Sequence, residues 1–194
     1  MFRNSKKHRI TKETNISLEL VLDNNGQYIV DTGNGFFNHM LEQFSKHSGI
    51  SLTIKAAGDF HIDLHHTIED IGITMGQSFV EALGDKKGIN RYGFAIIPMD
   101  EVLIETAIDI SGRSHLVYDV NLNKERIGDL ETELIYEFFN AFVNNAKITM
   151  HIIKRRGDNA HHVIEAIFKS FAIAIKEAIV INGDTIRSTK GSID

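Results

Sequence analysis

The sequence predicts an α+β fold built by internal duplication: two similar half-domains, about residues 1–92 and 93–194, each a small, mostly antiparallel sheet with helices packed on one face. Three observations predict it. His65-His66-Thr67-Ile68-Glu69 returns as His161-His162-Val163-Ile164-Glu165, a shift of 96 residues in a chain of 194. The apolar register travels with the motif, since Ile68, Ile71, Met75, Phe79 and Leu83 map onto Ile164, Ile167, Phe171, Ile175 and Ile179. Upstream of each motif the same order recurs: a helical stretch, a short strand, then Gly-Asp.

Taken in order, the first dozen residues are locally basic through Arg3, Lys6, Lys7, Arg9 and Lys12 and read as a solvated tail. Ile16, Leu18, Leu20 and Leu22 alternate as one face of a strand and end at the turn residues Asn24-Asn25-Gly26. Residues 36–46 read as helix and 50–55 as strand, followed by Gly58-Asp59. The motif helix beginning at His65 steps its apolar residues by three and four, one stripe of an amphipathic helix. The split falls near residue 92, within 88–93. The second half opens with what reads as an extra strand, residues 94–97, closed by the only proline, Pro98. Val102, Ile104, Thr106, Ile108 and Ile110 then alternate up to Ser111-Gly112-Arg113. Helix is expected over 130–144 and strand over 147–154, before Gly157-Asp158 and the second motif helix. With no linker rich in Pro, Gly or Ser, the halves are expected to form a single compact domain.

Composition narrows the chemistry. There are 21 Lys and Arg against 26 Asp and Glu, a formal charge of −5 before ten histidines are counted, and no cysteine. Disulfide frameworks, thiolate zinc sites and cysteine nucleophiles are excluded, and a reducing, cytoplasmic location is the expectation. A mildly acidic chain is not expected to bind nucleic acid. No stretch approaches the ~20 apolar residues of a membrane helix, so no membrane partner is expected. Gly33-Asn34-Gly35 lacks the further glycine or Lys-Ser/Thr of a nucleotide loop, and no Gly-x-Ser-x-Gly elbow occurs.

The repeated motif points to metal. On a helix His65 and Glu69 share one face, as do His161 and Glu165, while His66 and His162 point about 100° away from their neighbours. Each adjacent pair therefore suits two ions rather than one. His39 and His151 are candidates for further ligands, giving six imidazoles and two carboxylates without sulfur. Such a set suits Mn, Fe, Co or Zn. His8, His61 and His115, outside the repeat, read as surface or hydrogen-bonded residues. Near the C-terminus Arg187-Ser188-Thr189-Lys190-Gly191 is rich in donors, and Arg91 and Arg113, each beside a glycine turn, offer forked donors for an anion. At this level a hydrolytic dinuclear centre and a shell with structural metals both stay open.

The series Thr11-Lys12-Glu13-Thr14, Phe37-Asn38-His39-Met40-Leu41, His65-His66-Thr67-Ile68-Glu69-Asp70, Pro98-Met99-Asp100-Glu101, Ser111-Gly112-Arg113, His161-His162-Val163-Ile164-Glu165-Ala166 and Ser188-Thr189-Lys190-Gly191 resembles the imidazoleglycerol-phosphate dehydratase family. The resemblance implies a duplicated, ribosomal protein S5 domain 2-like fold. It also implies trimers assembled into a 24-subunit shell, with two Mn(II) per active site where subunits meet. By position it would put His39, His66, His161 and Glu165 on one manganese and His65, Glu69, His151 and His162 on the other. It makes Glu13 the acid/base carboxylate and assigns the phosphorylated imidazole substrate to Glu13, Gln43, His47, Arg91, Arg113, Lys169, Ser188 and Lys190. Two positions depart from the family pattern: Asn38 stands where many members have Asp, and Arg187 where a proline usually precedes Ser-Thr-Lys.

The reaction so implied is a lyase step of L-histidine biosynthesis, dehydrating D-erythro-imidazole glycerol phosphate to imidazole acetol phosphate. A C–H bond must break with no carbonyl beside it, and the imidazole ring is the available electron sink. The resemblance implies that two Mn(II) ions hold the ring as imidazolate and that a diazafulvene-like intermediate follows.

Overall fold

The computed structural model describes residues 3–193. The first half runs β1 (Asn4–Ile10), β2 (Thr14–Val21), β3 (Tyr28–Asp31), α1 (Gly35–Ser48), β4 (Ser51–Gly58) and α2 (His65–Leu83). The second runs β5 (Tyr92–Met99), β6 (Val102–Asp109), β7 (His115–Asp119), a small ribbon β8 (Arg126–Ile127) and β9 (Leu130–Glu131), α3 (Leu134–Ala146), β10 (Thr149–Arg156) and α4 (Ala160–Ile179). Apart from the ribbon, the two halves have one element order. Their four-stranded sheets also share one topology, β1-β2-β4-β3 and β5-β6-β10-β7. Pairing is antiparallel except between β3 and β4 and between β7 and β10, so the sheets are mostly antiparallel, as expected.

Three expectations are corrected. The basic segment is not a solvated tail: Asn4 to Ile10 pair with Val21 to Asn15 as an edge strand. Its alternation was hidden because charge, rather than apolar residues, marks its inner side. Arg3 bonds Asp23, Lys7 reaches Glu81 at 2.5 Å, and Arg9 bonds Asp70 on α2 at 2.8 Å. It follows that β5 is not an extra strand of the second half, since β1 is its counterpart. The third correction is at residue 130, where helix was expected: Leu130 belongs to the ribbon and α3 begins at Leu134.

Local chemistry sets the helix ends. Asn34 Oδ1 accepts the Phe37 N–H at 2.9 Å to start α1, and Gly49, with φ 77°, closes it in the left-handed conformation. Alternation along β2 and β6 turns Ile16, Leu18, Leu20, Val102, Ile104 and Ile108 inward. The helices then pack crosswise. α2 covers β1 and β2 and lies against α3 of the other half, while α4 covers β5 and β6 and lies against α1 of the other half. Between them sits an aromatic core, with Phe44 stacked on Phe171 at 4.8 Å and Phe138 on Phe168 at 5.6 Å. Each buried Phe stabilises the fold by about 1.5–3 kcal/mol relative to exposure.

The α2/α3 contact depends on absent side chains. A Cβ on Gly72 would stand 2.7 Å from the Phe138 carbonyl oxygen, and one on Gly76 2.7 Å from that of Phe142 and 2.9 Å from the Ala146 nitrogen. These are rigid backbone atoms, so Gly76→Ala must push the helices apart. We expect a loss of about 1–3 kcal/mol, read as a lower denaturation midpoint. An unchanged midpoint would show that α2 and α3 slide freely.

Candidate metal centre

Side-chain oxygens bind the backbone at the start of both motif helices. Asn159 Oδ1 accepts the N–H groups of His161 at 3.1 Å and His162 at 3.4 Å, and Asp63 Oδ1 accepts that of His65 at 2.8 Å. The rings of each pair diverge, with interplanar angles of 80° for His65/His66 and 85° for His161/His162.

Crosswise packing brings His39 on α1 to His161 and Glu165 on α4. The ligand atoms of these three lie within 4.8 Å of one another. Glu165 Oε2 is 3.3 Å from His161 Nε2 and 3.5 Å from His39 Nε2, and Oε1 meets Lys169 Nζ at 2.6 Å. The Glu165 side chain is 8% exposed while those of His39 and His161 are 42% and 46% exposed, so the cluster opens on solvent from a buried carboxylate. Two imidazoles and a carboxylate, with no sulfur, fit a divalent ion of borderline hardness.

The other expected ligands stand apart from this cluster within one chain. His66 Nδ1 is 2.9 Å from Asp59 Oδ2 and 3.9 Å from Glu13 Oε2. His162 Nδ1 is 3.0 Å from Glu101 Oε2, with Asp100 at 3.9 Å from its Nε2. The side chains of His65, Glu69 and His151 make no hydrogen bond or ion pair among the described residues. The His151 ring, on β10, lies 6.3 Å from that of His115.

The expected substrate residues also divide. Arg91, Arg113, Ser188 and Lys190 line one cavity of about 560 Å³ together with Ser111 and Thr189, and among the described residues no carboxylate side chain lines it. Gln43 and His47, bonded to each other at 3.0 Å on α1, and Lys169 on α4 are not part of that lining. Glu13 sits at the tip of the β1/β2 hairpin. Thr11 Oγ1 accepts the N–H groups of Glu13 at 3.1 Å and Thr14 at 2.9 Å, so the tip is shaped by its own threonine and the Glu13 side chain stays 54% exposed.

A family model described as imidazoleglycerol-phosphate dehydratase matches residues 32–175. The chain belongs to this family. It is 52% identical over 195 residues to the imidazoleglycerol-phosphate dehydratase of Alkaliphilus metalliredigens, covering 100% of both chains. It is 50% identical over 183 residues to that of Caldicellulosiruptor saccharolyticus, covering 94% of each. Among solved structures, the Staphylococcus aureus dehydratase superposes with a TM-score of 0.84 at 45% identity, over 92% of this chain and 99% of that one. The Pyrococcus furiosus dehydratase, in complex with (S)-C348, gives 0.83 at 34% identity, over 96% and 99%.

The two positions expected to depart from the family pattern make defined contacts. Asn38 Oδ1 accepts both the Thr32 N–H at 2.8 Å and the Thr32 hydroxyl at 2.6 Å, anchoring the entry to α1. Both bonds need only an acceptor oxygen, which Asn supplies as Asp would. Arg187 is tied through its backbone: its carbonyl accepts Arg91 Nη1 at 2.6 Å, a restraint on the loop that Pro would otherwise supply through its fixed φ. Arg91 itself has φ 71° and grips Asp109 with Nε at 2.7 Å and Nη2 at 3.1 Å. Much of its fork is thus already used, leaving Arg113 and Lys190 the freer cations of the cavity.

Charges at the site are tuned by neighbours. The Asp59 hydrogen bond holds His66 above its usual 6.5, and the same bond holds Asp59 below its ordinary value. His162 likewise lowers Glu101. Burial pushes His47 down. Burial would push Glu165 up, but the Lys169 bond and the nearby histidines outweigh it and the carboxyl sits below its ordinary 4.5. A carboxylate depressed on folding adds stability above its unfolded value that disappears as pH falls through the folded one. Metal-free protein should therefore lose stability as pH drops from about 4.5 downward, and Glu165→Gln should flatten that limb in a melting-temperature profile. A profile unchanged by the substitution would show that Lys169 does not hold Glu165.

The two carboxylates on Nδ1 of His66 and His162 were not singled out from sequence. Their signals were present, in Gly58-Asp59 and Pro98-Met99-Asp100-Glu101, but pairing across 7 and 61 positions is visible only after folding.

Proposed function

We propose that this chain is a cytoplasmic enzyme that dehydrates imidazole glycerol phosphate to imidazole acetol phosphate in L-histidine biosynthesis, with two Mn(II) ions per active site. The observation that carries the reading is the convergence of His39, His161 and Glu165, three donors from opposite halves within 4.8 Å. The remaining donors, His65, His66, Glu69, His151 and His162, lie in separate groups of the same chain. A centre with the expected ligand sets is therefore completed by a second copy. The exposed apolar side chains of Tyr92, Phe94 and Ile96, at 55%, 55% and 47%, alternate along the outer face of β5 and suit contacts between copies. On this reading such contacts would build the trimers and the 24-subunit shell that the family resemblance implies.

His39, His161 and Glu165, with His66, would hold one ion, and His65, Glu69, His151 and His162 the other. When bound, the metals supply Lewis acidity at the substrate's imidazole nitrogens, which lets the ring act as electron sink. The protein residues do the rest. Arg113, Ser188 and Lys190, with the remaining donors of Arg91, bind the phosphate and set the position of the glycerol carbons. Gln43, His47 and Lys169 reach the same substrate from the α1/α4 surface of the other copy. Glu13, exposed and beside His66, would take the proton from the carbon that becomes the carbonyl carbon and pass it to the hydroxyl next to the ring, which leaves as water, so that one proton serves both events. The resulting enol takes a proton on the carbon beside the ring to give the acetol.

The test is turnover of imidazole glycerol phosphate by purified protein before EDTA, after EDTA, and after Mn(II) is restored. Activity should vanish and return. Metal-loaded protein that leaves this substrate untouched, yet splits generic phosphate esters, would replace the dehydratase reading with a hydrolytic one.

A further inference from the structure

Each half has a carboxylate on a hairpin tip and another just after the strand that precedes its motif helix, and the halves turn opposite members of this pair to the second motif histidine. One stands on a hairpin tip: Glu13 between β1 and β2, Glu101 between β5 and β6. The other follows a glycine at the end of or just beyond the strand before the motif helix: Asp59 after Gly58 of β4, Asp158 after Gly157 beyond β10. In the first half Asp59 takes His66 Nδ1 at 2.9 Å, and hairpin Glu13 stands off at 3.9 Å. In the second half hairpin Glu101 takes His162 Nδ1 at 3.0 Å, and Asp158 turns away to Lys154 at 3.2 Å with its side chain 80% exposed. Chain length explains the exchange. Five residues separate Asp59 from His65, room for the carboxylate to fold back over the helix start, while two separate Asp158 from His161.

We propose that Asp59 and Glu101 are the positioning residues of His66 and His162, each accepting Nδ1–H so that Nε2 is presented for metal, and that this exchange is what leaves the Glu13 carboxylate without a hydrogen bond to His66 and available for proton transfer. The proposal rests on the reading of both histidines as ligands. An ionised carboxylate can only accept a hydrogen bond, so the ring nitrogen facing it carries the proton and the opposite nitrogen keeps its lone pair. Asp59 is held by burial, and Glu101, its side chain 49% exposed, by a second hydrogen bond. The Asp59 side chain is 12% exposed, and its Oδ1 is buried with no other partner among the described residues. The Glu101 Oε1 accepts the N–H of Asn159 at 3.3 Å, tying the hairpin to the residue that caps α4.

The experiment is Mn(II) loading of the assembled protein against a competing chelator, for the wild type and for Asp59→Asn, Glu101→Gln, Glu101→Asp, Glu13→Gln and Asp158→Asn, with melting of each metal-free protein and turnover of the metal-loaded wild type alongside. Asp59→Asn and Glu101→Gln should raise the free Mn(II) needed for half-loading by about 10–100-fold. Both keep the side-chain shape, so metal-free melting should stay within a few degrees. Glu101→Asp, which returns a charged acceptor, should move loading back toward wild type, and Glu13→Gln and Asp158→Asn should load as wild type does. Loading curves for Asp59→Asn and Glu101→Gln that superpose on wild type would overturn the proposal, as would an equal shift in Asp158→Asn. A wild type that loads Mn(II) without turning over imidazole glycerol phosphate would sink the dehydratase reading while the loading curves still decide this one. A wild type that takes up no Mn(II) would overturn both.

Discussion

Glu13→Gln should lower turnover of imidazole glycerol phosphate by about 10²–10⁴-fold, the range for removing a general acid or base, while metal content and assembly stay intact. On the proposed reading the side chain serves proton transfer rather than stability. It is 54% exposed, its nearest ionic neighbour is His66 at 3.9 Å, and the hairpin is held by Thr11 through backbone N–H groups that Gln leaves untouched. Because Asp59 already occupies His66 Nδ1, loss of the Glu13 charge should not release that histidine. The measurement is kcat with metal content determined on the same sample. Full activity in the variant would remove Glu13 from the proton path, and a parallel loss of metal would move it into the metal site.

His161→Ala should strip metal from the cluster that Glu165 organises. His161 Nε2 and His39 Nε2 both face Glu165 Oε2, so removing one imidazole leaves a single histidine and a carboxylate already bonded to Lys169. The loss of loading should exceed the roughly 10–100-fold caused by removing a hydrogen-bonded partner of a ligand. If copies share the ions, the assembly should also shift to smaller species, both in this variant and in EDTA-treated protein. Size-exclusion chromatography with metal analysis reads both effects. His8→Ala is the control, because His8 bonds Asn15 within the β1/β2 hairpin and touches no cluster. A His161→Ala protein with full metal content would overturn the assignment of this ligand.

Much of the fold was legible because its signals are local. The motif helices announced themselves through stripes such as Ile68, Ile71, Met75 and Phe79, and strand β6 through the alternation from Val102 to Ile108. The edge strand β1 was not legible, because its inward residues are Ser5, Lys7 and Arg9, and only Glu81 and Asp70 on α2 turn them into a packing surface. Leu130–Glu131, the second strand of the ribbon, was read as the start of a helix because Leu130 joins the apolar periodicity of α3.

By itself the sequence determined that the chain is a duplication, that two helices each present diverging histidines and a carboxylate, and that the donors are imidazole and oxygen without sulfur. These properties depend on residues three or four apart and on composition, which the chain carries before it folds. Only the tertiary structure decided which donors meet. His39 reaches Glu165 because α1 packs on α4 of the opposite half, and His66 and His162 are held by carboxylates from different places in the two halves because the connections into α2 and α4 differ in length. Contacts of that kind join distant positions, and their geometry is set by how the two sheets and four helices pack.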